Sequence, residues 1–135
     1  MNMVHTKEQL DNLQKVHDFV RDHVKNEQFD MENFRTTNEG YVTPFKGHRD
    51  CGTIGCFLGW CPFVLPITKE EITGDFISFF RLSRIKFGIE LGMSEWDDLF
   101  GEPLELSNRK SNSRLDVLEN IQNYINKQRE LLENV

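Results

Sequence analysis

The sequence predicts a mainly all-α fold, a compact single domain over residues 1–135 with about five helices and a loop-rich insertion near residues 28–50. Three observations support this prediction. Apolar residues recur at helical spacing near both ends of the chain. Capping patterns, glycines and prolines mark where the intervening helices begin and end. The chain is long enough to bury a hydrophobic core without disulfide bonds.

The first helix is predicted over residues 7–26. Thr6 and Gln9 form a capping-box pattern, in which each side chain accepts a hydrogen bond from the other residue's backbone N–H. The apolar face that follows consists of Leu10, Leu13, Val16, Val20 and Val24. Charged residues occupy the other positions, as is typical of a helix with one side in water.

The helical pattern disappears between residues 28 and 50. The turn signal Asn38-Glu39-Gly40 precedes Tyr41-Val42, which favours a small β-hairpin. Pro44 and Gly47 suit an irregular loop equally well, so both alternatives stay open.

A short buried helix is predicted within residues 51–62. Thr53 is a natural N-cap, and Pro62 is expected to stop the helix. Gly55 and Gly59 lie four residues apart on one face, which indicates that another backbone packs closely there.

Residues 75–89 are nearly all apolar and predict a helix that is buried on most sides. Thr68 and Glu71 repeat the capping-box pattern ahead of it. Ser78, Arg81 and Arg84 form a polar stripe at three-residue spacing within the segment. Its Phe and Ile content would also suit a strand.

Two further helices complete the chain. Gly92 ends the preceding helix, and Ser94 with Asp97 begins a short one that Gly101 stops. Ser113 begins the last helix. Its predicted apolar stripe is Leu115, Leu118, Ile121, Ile125 and Leu132.

Composition excludes several classes of function. The chain has 16 basic and 22 acidic side chains and a net charge of −6, which disfavours binding to nucleic acid. The longest apolar run, Phe57–Ile67, is interrupted by Pro62 and Pro66, so no membrane span is predicted. Three cysteines and an N-terminus without a signal-peptide pattern lead us to expect a cytoplasmic protein with reduced thiols.

The segment Cys51-Gly52-Thr53-Ile54-Gly55-Cys56-Phe57-Leu58-Gly59-Trp60 resembles the C-G-T-x-x-C-x-x-G-W signature of short proteins from bacteria and their phages. Glu90-Leu91-Gly92-Met93-Ser94, followed by Leu99-Phe100, is similar to a second stretch of that group. The chain departs from the group at Cys61, where a small residue is more familiar. The resemblance implies a common helical fold and brings no activity with it.

One hypothesis for this segment is a zinc site. The candidate ligands are His48, Cys51, Cys56 and Cys61. A Cys-x4-Cys spacing on a helix turns the two sulfurs about 140° apart, whereas zinc sites favour Cys-x2-Cys pairs. The spacing therefore favours cysteines that fill the core, and no cofactor is expected.

A second hypothesis is a thiol nucleophile. Cys51 lies just before the predicted helix, where the helix dipole lowers a thiol pKa, and His48 is three residues away. A catalytic base normally comes from another part of the fold, so a structural cysteine is the favoured interpretation.

A third hypothesis is an anion-binding site at the helix start. Backbone N–H groups at Gly52 and Thr53 would face the ligand, and Trp60 or Trp96 would stack on a base or a sugar. Positive charge would come from Arg49, Arg81 and Arg84. The alternative is that Thr53 only caps the helix and the arginines pair with surface carboxylates.

The sequence shows no set of nucleophile, base and orienting residue. It leads us to expect a non-enzymatic interaction protein, encoded by a phage or a mobile element, that binds and modulates a host protein or pairs with a second copy of itself. One alternative is a small-ligand binder, such as a sponge for a nucleotide signal, that uses Gly52-Thr53. The other is a cysteine-dependent enzyme or a zinc protein built on Cys51.

Overall fold

The computed structural model describes residues 5–29, 57–73, 76–77, 79–90, 92–101 and 110–133. The described residues confirm the all-α fold class. The α-helices are α1 (Lys7–His23), α2 (Phe79–Phe87), α3 (Ser94–Leu99) and α4 (Arg114–Glu133). Short 3-10 helices occur at Asn26–Gln28, Leu58–Phe63 and Lys69–Glu71. The hairpin expected in the 28–50 insertion lies almost wholly outside the described residues.

Helix α1 forms where the sequence predicts it. The Thr6 Oγ1 atom accepts from the Gln9 backbone N–H at 3.1 Å, and the Gln9 side chain accepts from the Thr6 N–H at 3.0 Å. Such a cap satisfies two donors that the first turn leaves without partners. All five predicted apolar residues are buried, namely Leu10, Leu13, Val16, Val20 and Val24.

Helix α4 packs antiparallel to α1. The Arg114 side chain at its start reaches Asn26 (2.8 Å) beyond the end of α1, whereas Arg129 near its other end pairs with Asp11 (3.1 Å). The predicted stripe is correct for Leu118, Ile121 and Ile125, which are buried. It is wrong for Leu115, which is 63% exposed. Successive residues are turned by about 100° around a helix axis, which places Leu115 about 100° away from the middle of the buried stripe.

The helix predicted between Thr53 and Pro62 is instead the 3-10 helix Leu58–Phe63, and Pro62 lies inside it. Proline lacks the N–H that an α-helix interior requires, but a short 3-10 segment leaves few such donors to satisfy. Thr53 and Gly55 lie outside the described residues. The backbone N–H groups of Val64 and Leu65 both donate to the Cys61 carbonyl and close the segment.

The helix predicted over residues 75–89 is shorter than expected. Strands β1 (Ile72–Thr73) and β2 (Phe76–Ile77) form a small antiparallel pair, and α2 begins only at Phe79. Helix α2 ends at Phe87 because Gly88 adopts a positive φ of 73°, a conformation that favours glycine. Gly92, the predicted end, has a positive φ in the following turn.

Helix α3 begins and ends close to the predicted boundaries. Ser94 is its first residue rather than its cap, because the Ser94 hydroxyl donates to the Glu95 carboxylate at 2.8 Å. The Gly101 N–H closes the helix by donating to the Trp96 carbonyl at 3.0 Å. A Cβ on Gly101 would lie 2.7 Å from the Asp97 carbonyl oxygen, so the tight turn requires glycine.

The helices surround one cluster of buried apolar side chains. Phe100 lies between Phe57 and Phe87, with ring centroids 6.0 and 5.9 Å away. Further members from the 3-10 segment Leu58–Phe63 and the four helices are Leu58, Trp60, Cys61, Val16, Val20, Leu82, Leu99, Val117 and Ile121. Within the described part of the chain, none of the helices has both the length and the apolar character needed to cross a bilayer.

Candidate functional site

The described residues include four of the ten predicted site residues. Trp60 and Cys61 lie in the 3-10 helix Leu58–Phe63, and Arg81 and Arg84 lie on α2. Those outside the described residues are His48, Arg49, Cys51, Gly52, Thr53 and Cys56. The hypotheses that depend on Cys51 and on Gly52-Thr53 therefore stay predictions.

Trp60 and Cys61 are fully buried. The Trp60 ring contacts Phe63 and Phe19, with centroids 5.2 and 6.4 Å away. A tryptophan in this position offers no face on which a ligand base could stack, which corrects its proposed role. The Cys61 Sγ atom lies 3.9 Å from the Phe57 carbonyl oxygen, so this cysteine fills the core as the favoured interpretation predicts.

Arg81 and Arg84 are both exposed on α2, and an exposed aromatic residue accompanies them. Phe80 is 44% exposed, although most other described large apolar residues are buried. At about 100° per residue, Phe80, Arg84 and Arg81 fall within an arc of about 100° around the helix. We call these three residues the outer face of α2.

The outer face is backed by rigid packing. The Phe80 ring lies 5.7 Å from the ring of Trp96 in α3. The Trp96 indole N–H donates to Ser83 Oγ at 3.1 Å, and the Ser83 hydroxyl donates to the Phe80 carbonyl at 3.0 Å. Buried Ser83 thus connects the Trp96 indole to the backbone of Phe80, and the Trp96 ring lies beside the Phe80 ring.

A buried ion pair lies on the opposite side of α2. The Lys86 Nζ atom lies 2.9 Å from Glu71 Oε1, and the Glu71 side chain is 0% exposed. The same oxygen accepts from the Thr68 hydroxyl at 2.8 Å and from the Thr68 N–H at 3.1 Å. Glu71 Oε2 has no hydrogen-bond partner among the described residues. Because the pair fixes Lys86 inward, it also fixes which residues of α2 face outward.

A second buried polar pair joins the start of the chain to α4. His5 Nδ1 lies 2.9 Å from the Phe87 carbonyl oxygen, which can only accept, so Nδ1 carries the proton. His5 Nε2 then accepts from the Tyr124 hydroxyl at 2.5 Å. Burial lowers the pKa of His5. The hydrogen bond to the Phe87 carbonyl and the charge of Glu95 raise this pKa, but burial has the larger effect. Burial, Glu95 and Asp98 raise the pKa of Tyr124.

We expect His5 to make folding stability depend on pH. Because its pKa is lower in the folded state, the unfolded chain binds more protons just below pH 6.5, the ordinary value for histidine. The stabilisation is complete above that pH and is lost as the pH falls towards the folded-state pKa. Urea unfolding at pH values above and below 6.5 should show a smaller pH dependence for His5→Gln than for the wild type. Equal pH dependence in both chains would contradict this assignment.

The described residues offer no obvious catalytic centre. They contain no group of three or more His, Cys, Asp or Glu residues that could hold a metal ion. The Tyr124 hydroxyl is a poor nucleophile because its pKa is raised. The outer face of α2 is therefore the described feature that is best suited to contact another molecule.

Sequence reasoning identified the two arginines but missed Phe80. The signal was present, since Arg81 and Arg84 mark the exposed side of the helix and Phe80 precedes Arg84 by one helical turn. Comparison of the chain with protein-family models, curated proteins and solved structures found no match. The function is therefore argued from the chain's own geometry.

Proposed function

We propose that this chain is a non-enzymatic protein-binding module and that the outer face of α2 is its binding surface. The observation that carries the proposal is the exposure of Phe80, at 44%, on the same side of α2 as the exposed Arg81 and Arg84. Aromatic and arginine side chains dominate the energetic centres of protein interfaces. The other aromatic residues whose burial the structure describes are buried or partly buried, and a small domain gains little stability from leaving one aromatic ring in water.

The rigidity of the surface supports this proposal. Binding is weakened when side chains must be ordered in the complex, and it is strengthened when they are already fixed. Trp96 and Ser83 hold Phe80 from below, and the Glu71–Lys86 pair holds the helix from behind. The surface is therefore organised before a partner arrives.

In its finer form, the proposal is that the partner is a bacterial host protein in the cytoplasm and that the chain is encoded by a phage or a mobile element. The resemblance of residues 51–60 to short proteins of bacteria and their phages supports this form. Binding would then modulate the host protein by occupying its surface.

Affinity capture from bacterial lysate tests the proposal. We expect Phe80→Ser to reduce recovery of a captured protein by about tenfold or more, because it removes the central apolar contact. Leu131→Ser is the matched control, since Leu131 is 49% exposed but lies on α4. Thermal melts of both variants establish that they fold. Equal capture by wild type and Phe80→Ser, or no captured protein at all, would refute the proposal.

A small anionic ligand is the second candidate function, favoured by the exposure of Arg81 and Arg84 on one side of α2. Because Trp60 and Trp96 are both buried, the predicted nucleotide site loses its stacking residues. Thermal-shift measurements with cyclic and linear nucleotides discriminate between the candidates. A shift that Arg84→Glu abolishes would favour the ligand, whereas no shift with any nucleotide would remove it.

A further inference from the structure

We infer that the outer face of α2 docks an acidic protein segment that carries an apolar side chain. The inference rests on the proposed function and names the chemistry of its partner. Phe80 offers an apolar contact, and Arg84, one helical turn further along α2, offers a guanidinium group. A segment with an apolar residue next to a carboxylate matches both side chains.

The charge of Arg84 is available to a partner. Its side chain forms no ion pair or hydrogen bond with any described residue. A guanidinium presents parallel N–H donors that fit the two oxygens of a carboxylate, and such paired bonds are stronger than neutral hydrogen bonds. Docking a carboxylate against Arg84 therefore requires no existing ion pair within the described residues to be broken.

Two acidic residues of α3, the helix that carries Trp96, are turned towards other groups. Glu95 and Asp98 of α3 lie close enough to Tyr124 to raise its pKa, and the Asp98 carbonyl accepts from Asn120 of α4 at 2.9 Å. These contacts place both residues on the α4 side of α3, whereas Trp96 faces Phe80 on α2. More distant carboxylates are screened, because the Debye length is about 8 Å at physiological salt.

A nucleic acid fits this surface less well than an acidic protein segment does. The affinity of a nucleic acid depends on neutralising many phosphates along a basic stripe, whereas the outer face of α2 spans little more than one helical turn. The net charge of −6 also repels an extended polyanion as it approaches. A protein segment needs only a few carboxylates and uses its apolar residue on Phe80.

Fluorescence anisotropy with synthetic probes tests the inference on the full chain. The probes are a Glu/Gly peptide with a central leucine, the same peptide with Lys in place of Glu, and a single-stranded DNA oligonucleotide. We expect the acidic peptide to bind most tightly, to lose about tenfold in affinity with Arg84→Glu and to weaken as salt is raised. Lys127→Glu is the control, because it makes the same charge change at an exposed position on α4.

Several outcomes would overturn the inference. These are tighter binding of the lysine peptide or the DNA, no binding of the acidic peptide, and equal losses for Arg84→Glu and Lys127→Glu. The proposed function is judged separately through Phe80. Lysate capture that depends on Phe80 but is insensitive to Arg84→Glu would keep the binding module and exclude an acidic partner.

Discussion

Replacing Lys86 by methionine is expected to lower the free energy of unfolding by about 3–5 kcal/mol. The side chains have similar size, so the variant removes the charge and leaves the packing nearly intact. Glu71, at 0% exposure, then keeps a buried carboxylate without its counter-charge. One of its oxygens already lacks a partner among the described residues, so little can compensate. Urea unfolding followed by circular dichroism measures the change.

The double variant Glu71→Leu/Lys86→Met is the control for this experiment. Removing both charges eliminates the uncompensated carboxylate, so the double variant should recover most of the lost stability. Thr68 loses its acceptor in this variant, but it is exposed and its donors can bond to water. A double variant as unstable as Lys86→Met alone would show that methionine packs poorly and that charge is not the cause.

The buried pair connects stability to the proposed binding surface. Lys86 lies on the opposite side of α2 from the middle of the outer face, given about 100° per residue. The pair holds α2 against the 3-10 helix Lys69–Glu71 and fixes its rotation. Buried ion pairs often contribute to the choice of one arrangement more than to net stability. Here that arrangement is the one in which Phe80, Arg81 and Arg84 face outward.

The two longest helices were predictable because their signals are local. Thr6 and Gln9 cap α1 within four residues, and a continuous apolar face follows them. Periodicity also located α4 but wrongly included Leu115 in its buried stripe. Leu115 lies in the first turn of α4. The spacing of apolar residues does not show whether a neighbouring helix extends far enough to cover that turn.

The middle of the chain was harder to predict because tertiary packing decides its structure. Pro62 is a stop signal in any local pattern, yet it lies within the 3-10 helix Leu58–Phe63. Residues 75–89 contain Phe76, Phe79, Phe80 and Phe87, and the composition of this segment does not reveal which phenylalanine faces water. The exposure of Phe80 depends on contacts that α2 makes with other elements, through Ser83 with Trp96 of α3 and through Lys86 with Glu71 of the 3-10 helix Lys69–Glu71.

Truncating Trp60 to alanine is expected to lower the free energy of unfolding by about 3–5 kcal/mol. The ring is 0% exposed and packs between Phe19 and Phe63, so its loss leaves a cavity that its neighbours fill only partly. Trp60→Phe keeps an aromatic ring and should be less destabilising. Leu131→Ala, which truncates a 49% exposed side chain, is expected to change the stability by less than about 0.5 kcal/mol.

The Trp60 variants also test whether Trp60 is a core residue or a residue that stacks on a ligand, because the two roles predict different results. A core role predicts that thermal and urea stability fall in the order wild type, Trp60→Phe, Trp60→Ala, with no added ligand involved. A stacking role predicts nearly unchanged stability and a loss of nucleotide-induced thermal shift. Since the structure leaves no face of the Trp60 ring in water, we expect the first pattern. The second pattern would require the 3-10 helix Leu58–Phe63 to open, and it would contradict the packing described for Trp60.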